Sequence, residues 1–200
     1  MTEVAVRYKR KTPRTEVQVS APKGAVTRVH LPDEDAKAHF VTALLKARCE
    51  PGEELELFGE AAATVAPKTR EKLRNRVGAV SPIVGLMSNL NAWENIALPA
   101  AYHGAPPMPE VAQLAADVLT ALGAEPNYFF ARLPDELGLL DRKIAAFVRL
   151  LVAAPELLVF DALEVGLSHG ECRQVARFEA EYRARHPNGT VVYVDTKEES

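Results

Sequence analysis

Cysteine is nearly absent from this chain: Cys49 and Cys172 are the two thiols in 200 residues. That excludes a disulfide-stapled scaffold, and the pair fits no metal or redox spacing, as suits a reducing compartment. Net charge is equally scarce. Basic side chains number 24 and acidic ones 27, a formal charge of -3, which gives no reason to expect a nucleic-acid partner. The short basic run Arg7-Tyr8-Lys9-Arg10-Lys11 reads as the solvated edge of a hairpin. No apolar run reaches the length of about eighteen residues that a membrane span needs, and the opening MTEVAVRYKRK lacks the apolar centre of a secretion signal. A soluble, unexported, cytoplasmic chain is expected. His30, His39, His103, His169 and His186 fall at no paired ligand spacing, so no metal site is expected.

Hydrophobic residues make up 48% of the chain, enough for one domain with a sizeable core. Residues 133–168, LPDELGLLDRKIAAFVRLLVAAPELLVFDALEVGLS, organise it. Ile144, Phe147, Val148 and Leu151 recur at spacings of three and four, with Arg142, Lys143 and Arg149 on the other side, the pattern of an amphipathic helix. Ala154-Pro155 turns the chain into Leu157-Leu158-Val159-Phe160, a continuous apolar run as in a parallel strand covered on both faces. Asp161 follows at its carboxyl end, where open α/β sheets place their ligands.

Elsewhere, strands are expected at residues 4–8 and 17–19, joined by a polar hairpin, then a turn at Ala21-Pro22-Lys23-Gly24 and a strand over 25–29. A helix over 36–47 turns Phe40, Val41, Leu44 and Leu45 inward, with Asp33 or Asp35 as its N-cap. Strands at 55–59 and 77–80 flank a basic helix over 69–76, and helices follow at 111–122 and 171–185. Pro187-Asn188-Gly189 turns into a last buried strand over 190–194.

Residues 133–168 resemble the signature-helix and Walker B region of ABC-transporter ATP-binding subunits. Leu133 to Leu137 matches the family's LPDEL, Arg142 and Arg149 fall on family arginines, Pro155-Glu156-Leu157-Leu158 matches PELL, and Asp161 falls on the Walker B aspartate. No insertion or deletion intervenes between Leu137 and Asp161. Along the rest of the chain, Glu94-Asn95-Ile96-Ala97-Leu98-Pro99 and Thr190-Val191-Val192-Tyr193-Val194 match family segments in register. The resemblance implies an α/β, P-loop NTPase-like fold: a mostly parallel sheet flanked by helices, with an antiparallel β edge and an α-helical subdomain. It implies a single domain over 1–200, with a core of 1–98 and 142–200 and a helical subdomain at 99–141.

The residues that carry the family's chemistry have changed. A phosphate-binding loop needs G-x-x-x-x-G-K-[ST], whose glycines let backbone N–H groups cradle phosphate. Here Lys37 keeps the lysine, while Leu31, Ala36 and Ala38 replace the glycines and the hydroxyl, and Asp33, Glu34 and Asp35 line the loop. Ser81-Pro82 stands where the family has the glutamine that binds Mg²⁺. Gly138, Leu139, Leu140 and Asp141 replace the signature SGGQ, Ala162 the catalytic glutamate, and Thr196 the switch histidine. Tyr8 falls where the family stacks an aromatic ring on adenine; on its alternation with Val4 and Val6 it only covers the sheet. The resemblance therefore implies a degenerate, non-hydrolysing subunit or regulator, with no catalytic residue, no cofactor and no bound metal, docking on a permease or a competent ATPase partner. An alternative is the ATP-binding half of an asymmetric ATPase heterodimer, holding Mg-ATP through Tyr8, Lys37 and Asp161. A third is a regulatory module without a transporter. The apolar stretch with Ile83, Val84, Leu86, Met87 and Trp93 falls where relatives receive a permease helix, and reads either as that docking site or as internal packing. In the first reading the chain is peripheral on the inner face of the cell membrane, and a dimer is compatible with it.

Overall fold

The computed structural model describes residues 3–13 and 15–196. The chain forms two compact units. The first is made of the chain up to Ala79, Pro155–Ala162 and the chain from His186 onward; the second is Val80–Ala154 with Leu163–Arg185. The second unit thus begins upstream of residue 99 and extends beyond residue 141.

The first unit opens with β1 (Val4–Lys11), β2 (Glu16–Pro22), β3 (Val26–Leu31), α1 (Glu34–Lys46), β4 (Glu53–Leu57), β5 (Glu60–Ala61), α2 (Pro67–Asn75) and β6 (Val77–Val80), whose last residue already counts to the second. It is completed by β7 (Leu157–Asp161) and β8 (Thr190–Thr196). These strands make two sheets. One is antiparallel, in the order β2-β1-β4-β5; the other runs β3-β8-β7-β6, with β8 parallel to both β3 and β7. The antiparallel strands are therefore a sheet of their own and not an edge of the parallel one.

The basic run, expected at a solvated hairpin edge, lies instead on an interior strand. β1 continues through it to Lys11 and is paired on both sides. Period-two alternation from Val6 onward accounts for this: Val6 and Tyr8 are buried while Arg7, Lys9 and Lys11 face outward. β7 is buried at every position, as its unbroken apolar run requires. Helix α1 starts at Asp33, whose carboxylate accepts the Ala36 N–H at 2.8 Å. Phe40, Val41 and Leu44 then pack in one core with Tyr8, Leu55 and Leu57 of the antiparallel sheet and Val159, Val192 and Val194 of the parallel one.

The second unit holds α3 (Ala92–His103), α4 (Met108–Ala121), α5 (Pro126–Phe130), α6 (Leu139–Ala153), α7 (His169–Val175) and α8 (Phe178–Arg185). Central helix α6 is buried at every position from Ile144 to Val152. Arg149 belongs to that stretch and is only 9% exposed, so it does not share a solvated side with Arg142. The single helix expected over 171–185 is two. A Ser168–Glu171 capping box starts α7, and the chain breaks at Ala176 before Phe178 stacks on Phe147 at 4.2 Å. No helix among the described residues is long and apolar enough to cross a membrane.

Candidate functional site

β3 ends at Leu31 and α1 begins at Glu34, so Pro32 and Asp33 alone connect strand to helix. A phosphate loop needs about five residues between strand and lysine, with their amides turned inward. Here the helix starts three residues before Lys37, and its first turn fills that place. The amides are engaged as well: the Ala36 N–H goes to the Asp33 carboxylate at 2.8 Å and the Lys37 N–H to the Asp33 carbonyl at 3.1 Å.

Lys37 points inward. Its Nζ lies 2.9 Å from Glu34 Oε1 and 3.7 Å from Asp161 Oδ1, with both the Lys37 and Asp161 side chains buried. The parallel register places Leu31 beside Thr196 and Asp161 beside Val194, so the expected site residues meet at the carboxyl ends of adjacent strands. Next to Asp161, Ala162 is buried and left-handed, with φ 49°. The attraction between Lys37 and Asp161 is about 4 kcal/mol at an effective dielectric near 20, and desolvation of both groups offsets it. Chemically this is an internal chain of ion pairs from helix to strand, with a carboxylate on either side of the ammonium.

Tyr8 does not join Lys37 and Asp161 as an open ligand platform. It is 1% exposed, its ring packs on Phe40 at a centroid distance of 5.0 Å, and its hydroxyl donates to Glu53 Oε1 at 2.9 Å. That carboxylate was not legible as a functional centre. The side chain of Glu53 is 1% exposed and collects His39 Nδ1 at 2.8 Å on the same oxygen and the Glu50 N–H at 2.8 Å on the other. Arg10 bonds Asp35 at 2.9 Å and approaches Glu53 at 3.7 Å. Burial, then the bond to Glu53, pushes the Tyr8 phenol well above its ordinary range. A cleft of 520 Å³ opens beside His39, Thr42, Lys46 and Glu53. The network joins β1, α1 and the start of β4, which are distant in sequence, so no spacing announces it. Among the described residues no group of three His, Cys, Asp or Glu side chains could hold a metal ion.

The segment between β6 and α3 is irregular but pinned. Ser81 accepts the Ile83 N–H on its hydroxyl at 3.1 Å and the Val84 N–H on its carbonyl at 3.0 Å. Fully buried Asn95 accepts the Met87 N–H at 2.7 Å and reaches the carbonyls of Met87 and Leu90 at 3.1 and 2.9 Å. Arg149 Nη1 donates to the Gly85 carbonyl at 3.2 Å. On this scaffold Ile83 is 51% and Met87 47% exposed, whereas Val84 and Leu86 are half-buried. Trp93 stands apart. It meets the Phe130 ring edge-on at 5.4 Å and lines a shallow 410 Å³ cavity with Asn91 and Asn127.

No protein-family model matches this chain, and no curated protein matches it. Solved structures do. CbiO1 from Clostridium perfringens, part of the ABC transporter complex CbiONQ, aligns over 98% of this chain and 79% of its own, at 15% identity and a TM-score of 0.73. The ATP-binding cassette MJ0796, dimeric and bound to ADP and Pi in a post-hydrolysis state, aligns over 98% of this chain and 88% of its own at 18% identity and a TM-score of 0.75. A second dimeric structure of MJ0796, a bacterial ABC transporter cassette, gives 18% identity and 0.76 over the same shares. The α/β fold of this chain, with its parallel sheet, antiparallel sheet and helices, is the fold of ABC transporter ATPase domains.

Proposed function

We propose that this protein is a degenerate relative of ABC-transporter ATP-binding subunits that does not hydrolyse ATP and acts by docking on a permease or on a competent ATPase partner. The observation that carries the reading is the connection between β3 and α1. Two residues, Pro32 and Asp33, stand where a phosphate cradle would be, and Asp33 takes up the Ala36 and Lys37 amides. A polyphosphate there would meet Asp33, Glu34 and Asp35. One like-charge contact at 4 Å costs about 4 kcal/mol at an effective dielectric near 20. Lys37, which would offset part of this, is already between Glu34 and Asp161. Ala162 offers no general base and Pro82 no Mg²⁺ ligand, which removes two of the terms that lower a phosphoryl-transfer barrier.

The chain alone should give no binding heat on calorimetric titration with Mg-ATP and no ATP turnover. A micromolar dissociation constant overturns the reading. The docking half rests on Ile83 and Met87, held out to solvent by a hydrogen-bonded loop, with Val84 and Leu86 half-buried beside them. Trp93, packed edge-on against Phe130 at a separate cavity, is not one of its anchors. In this reading the protein sits on the inner face of the membrane as a peripheral subunit.

A further inference from the structure

Among the described residues Arg149 is a cation without a counter-charge. It sits in the fully buried stretch of α6 and is only 9% exposed. Its Nη1 reaches one neutral acceptor, the Gly85 carbonyl, and its buried Nη2 has no hydrogen-bond partner among the described residues. Burial alone pulls its pKa down, and no carboxylate acts on it in the opposite direction. A buried guanidinium presents five donors in a rigid fork suited to a carboxylate, and a single carbonyl compensates little of its charge.

Two further observations lie at the same place. The stretch from Pro82 to Trp93, PIVGLMSNLNAW, contains no charged residue, so an incoming acid would meet neither a rival cation nor a repelling carboxylate there. Gly85, whose carbonyl lies against Arg149, is exposed, and a Cβ added to it would meet no atom within 4 Å. The space beside the Gly85 Cα is open, and the absent side chain lets another chain come close to the backbone whose carbonyl Arg149 holds. On either side of it stand exposed Ile83 and Met87.

We propose that Arg149 is the anchor for a carboxylate, and that the partner docking on Ile83 and Met87 is a protein segment carrying one Asp or Glu among apolar residues. This rests on the docking reading above and names the chemistry of its partner. The incoming carboxylate passes over Gly85, replaces its carbonyl as acceptor and takes both terminal nitrogens of the fork. A charge-assisted, two-pronged bond out of water is stronger than the neutral one it displaces.

The smallest probes of this surface are hexanoate and 1-hexanol, which share an apolar tail and differ in the head group. Titration is followed by NMR at the Ile83 and Met87 methyls and the Gly85 amide. Hexanoate should bind about tenfold more tightly than hexanol, the effect of one charge-assisted bond. Arg149→Met should bring hexanoate down to hexanol's level, leave hexanol binding unchanged, and leave the melting temperature unchanged or higher, since a buried unpaired charge is gone. Gly85→Leu leaves Arg149 untouched and should abolish the hexanoate preference by closing the approach. Equal affinities in the native protein, or a preference that survives both substitutions, overturn the inference while leaving apolar docking standing. If neither probe shifts Ile83 or Met87, the docking reading falls with it.

Discussion

Tyr8 is a buried phenol whose hydroxyl is spent on Glu53, and this has a measurable consequence. Its pKa is raised in the folded chain, by burial first and by Glu53 second. A raised pKa stabilises the folded state fully below the unfolded value, about 10 for tyrosine, and that contribution is lost as pH rises further. The native protein should therefore lose stability more steeply above about pH 10 than Tyr8→Phe does, as read from denaturant midpoints at a series of pH values. At neutral pH the same substitution should cost about 1–2 kcal/mol, since Glu53 keeps two of its three close partners. Ala162 poses the opposite problem. Its φ of 49° and its 4% exposure leave a longer side chain no relaxed conformation and no water. Ala162→Glu, which places a carboxylate next to Asp161, should destabilise by about 2 kcal/mol or more. It should yield no ATP turnover, because a base without a positioned phosphate has nothing to act on.

The start of α1 shows at the level of an element how a helix N-terminus is satisfied from within the chain. Asp33 supplies internally the negative charge that a helix N-terminus attracts. Asp33→Ala should cost about 1 kcal/mol of stability in a denaturant melt. It should leave Mg-ATP binding undetectable, because the two-residue connection and the Glu34–Lys37–Asp161 contacts persist. Much of this element was legible in the sequence. An acidic cap at Asp33 or Asp35 and the inward faces of Phe40 and Leu44 follow from spacing, whereas the placing of Lys37 and Asp161 at one site comes only from the family resemblance. What was not legible depends on partners remote in the chain. The break between α7 and α8 is set by Phe178 stacking on Phe147, which no local periodicity encodes. The burial of Arg149 depends on a helix covered on every side, where its sequence neighbours Arg142 and Lys143 suggested a polar one. Glu53 reads as one more acid in a turn until β1 and α1 bring Tyr8 and His39 to it.

For the molecule as a whole, nucleotide should leave stability unmoved. A site with a 10 µM dissociation constant would add about 2.7 kcal/mol at 1 mM ligand, a shift of several degrees for a chain of this size. Millimolar Mg-ATP should therefore leave the melting temperature where it is, and a rise of that order would mean that a cradle forms elsewhere. A different consequence follows from the strand order β3-β8-β7-β6. The strand between β3 and β7 is the last described one, and Val26 pairs with Val191. On the ribosome, at about 5–20 residues per second, β3 emerges and waits about 8–30 seconds for its neighbour. Throughout that interval β3 lacks the neighbour it pairs with, and from the emergence of β7 until β8 arrives the parallel sheet has an unfilled slot open to any extended chain nearby. The hazard for this protein thus lies in its biosynthesis. Its yield in a cell should depend on chaperones that cover nascent strands, long before any question of what it docks on arises.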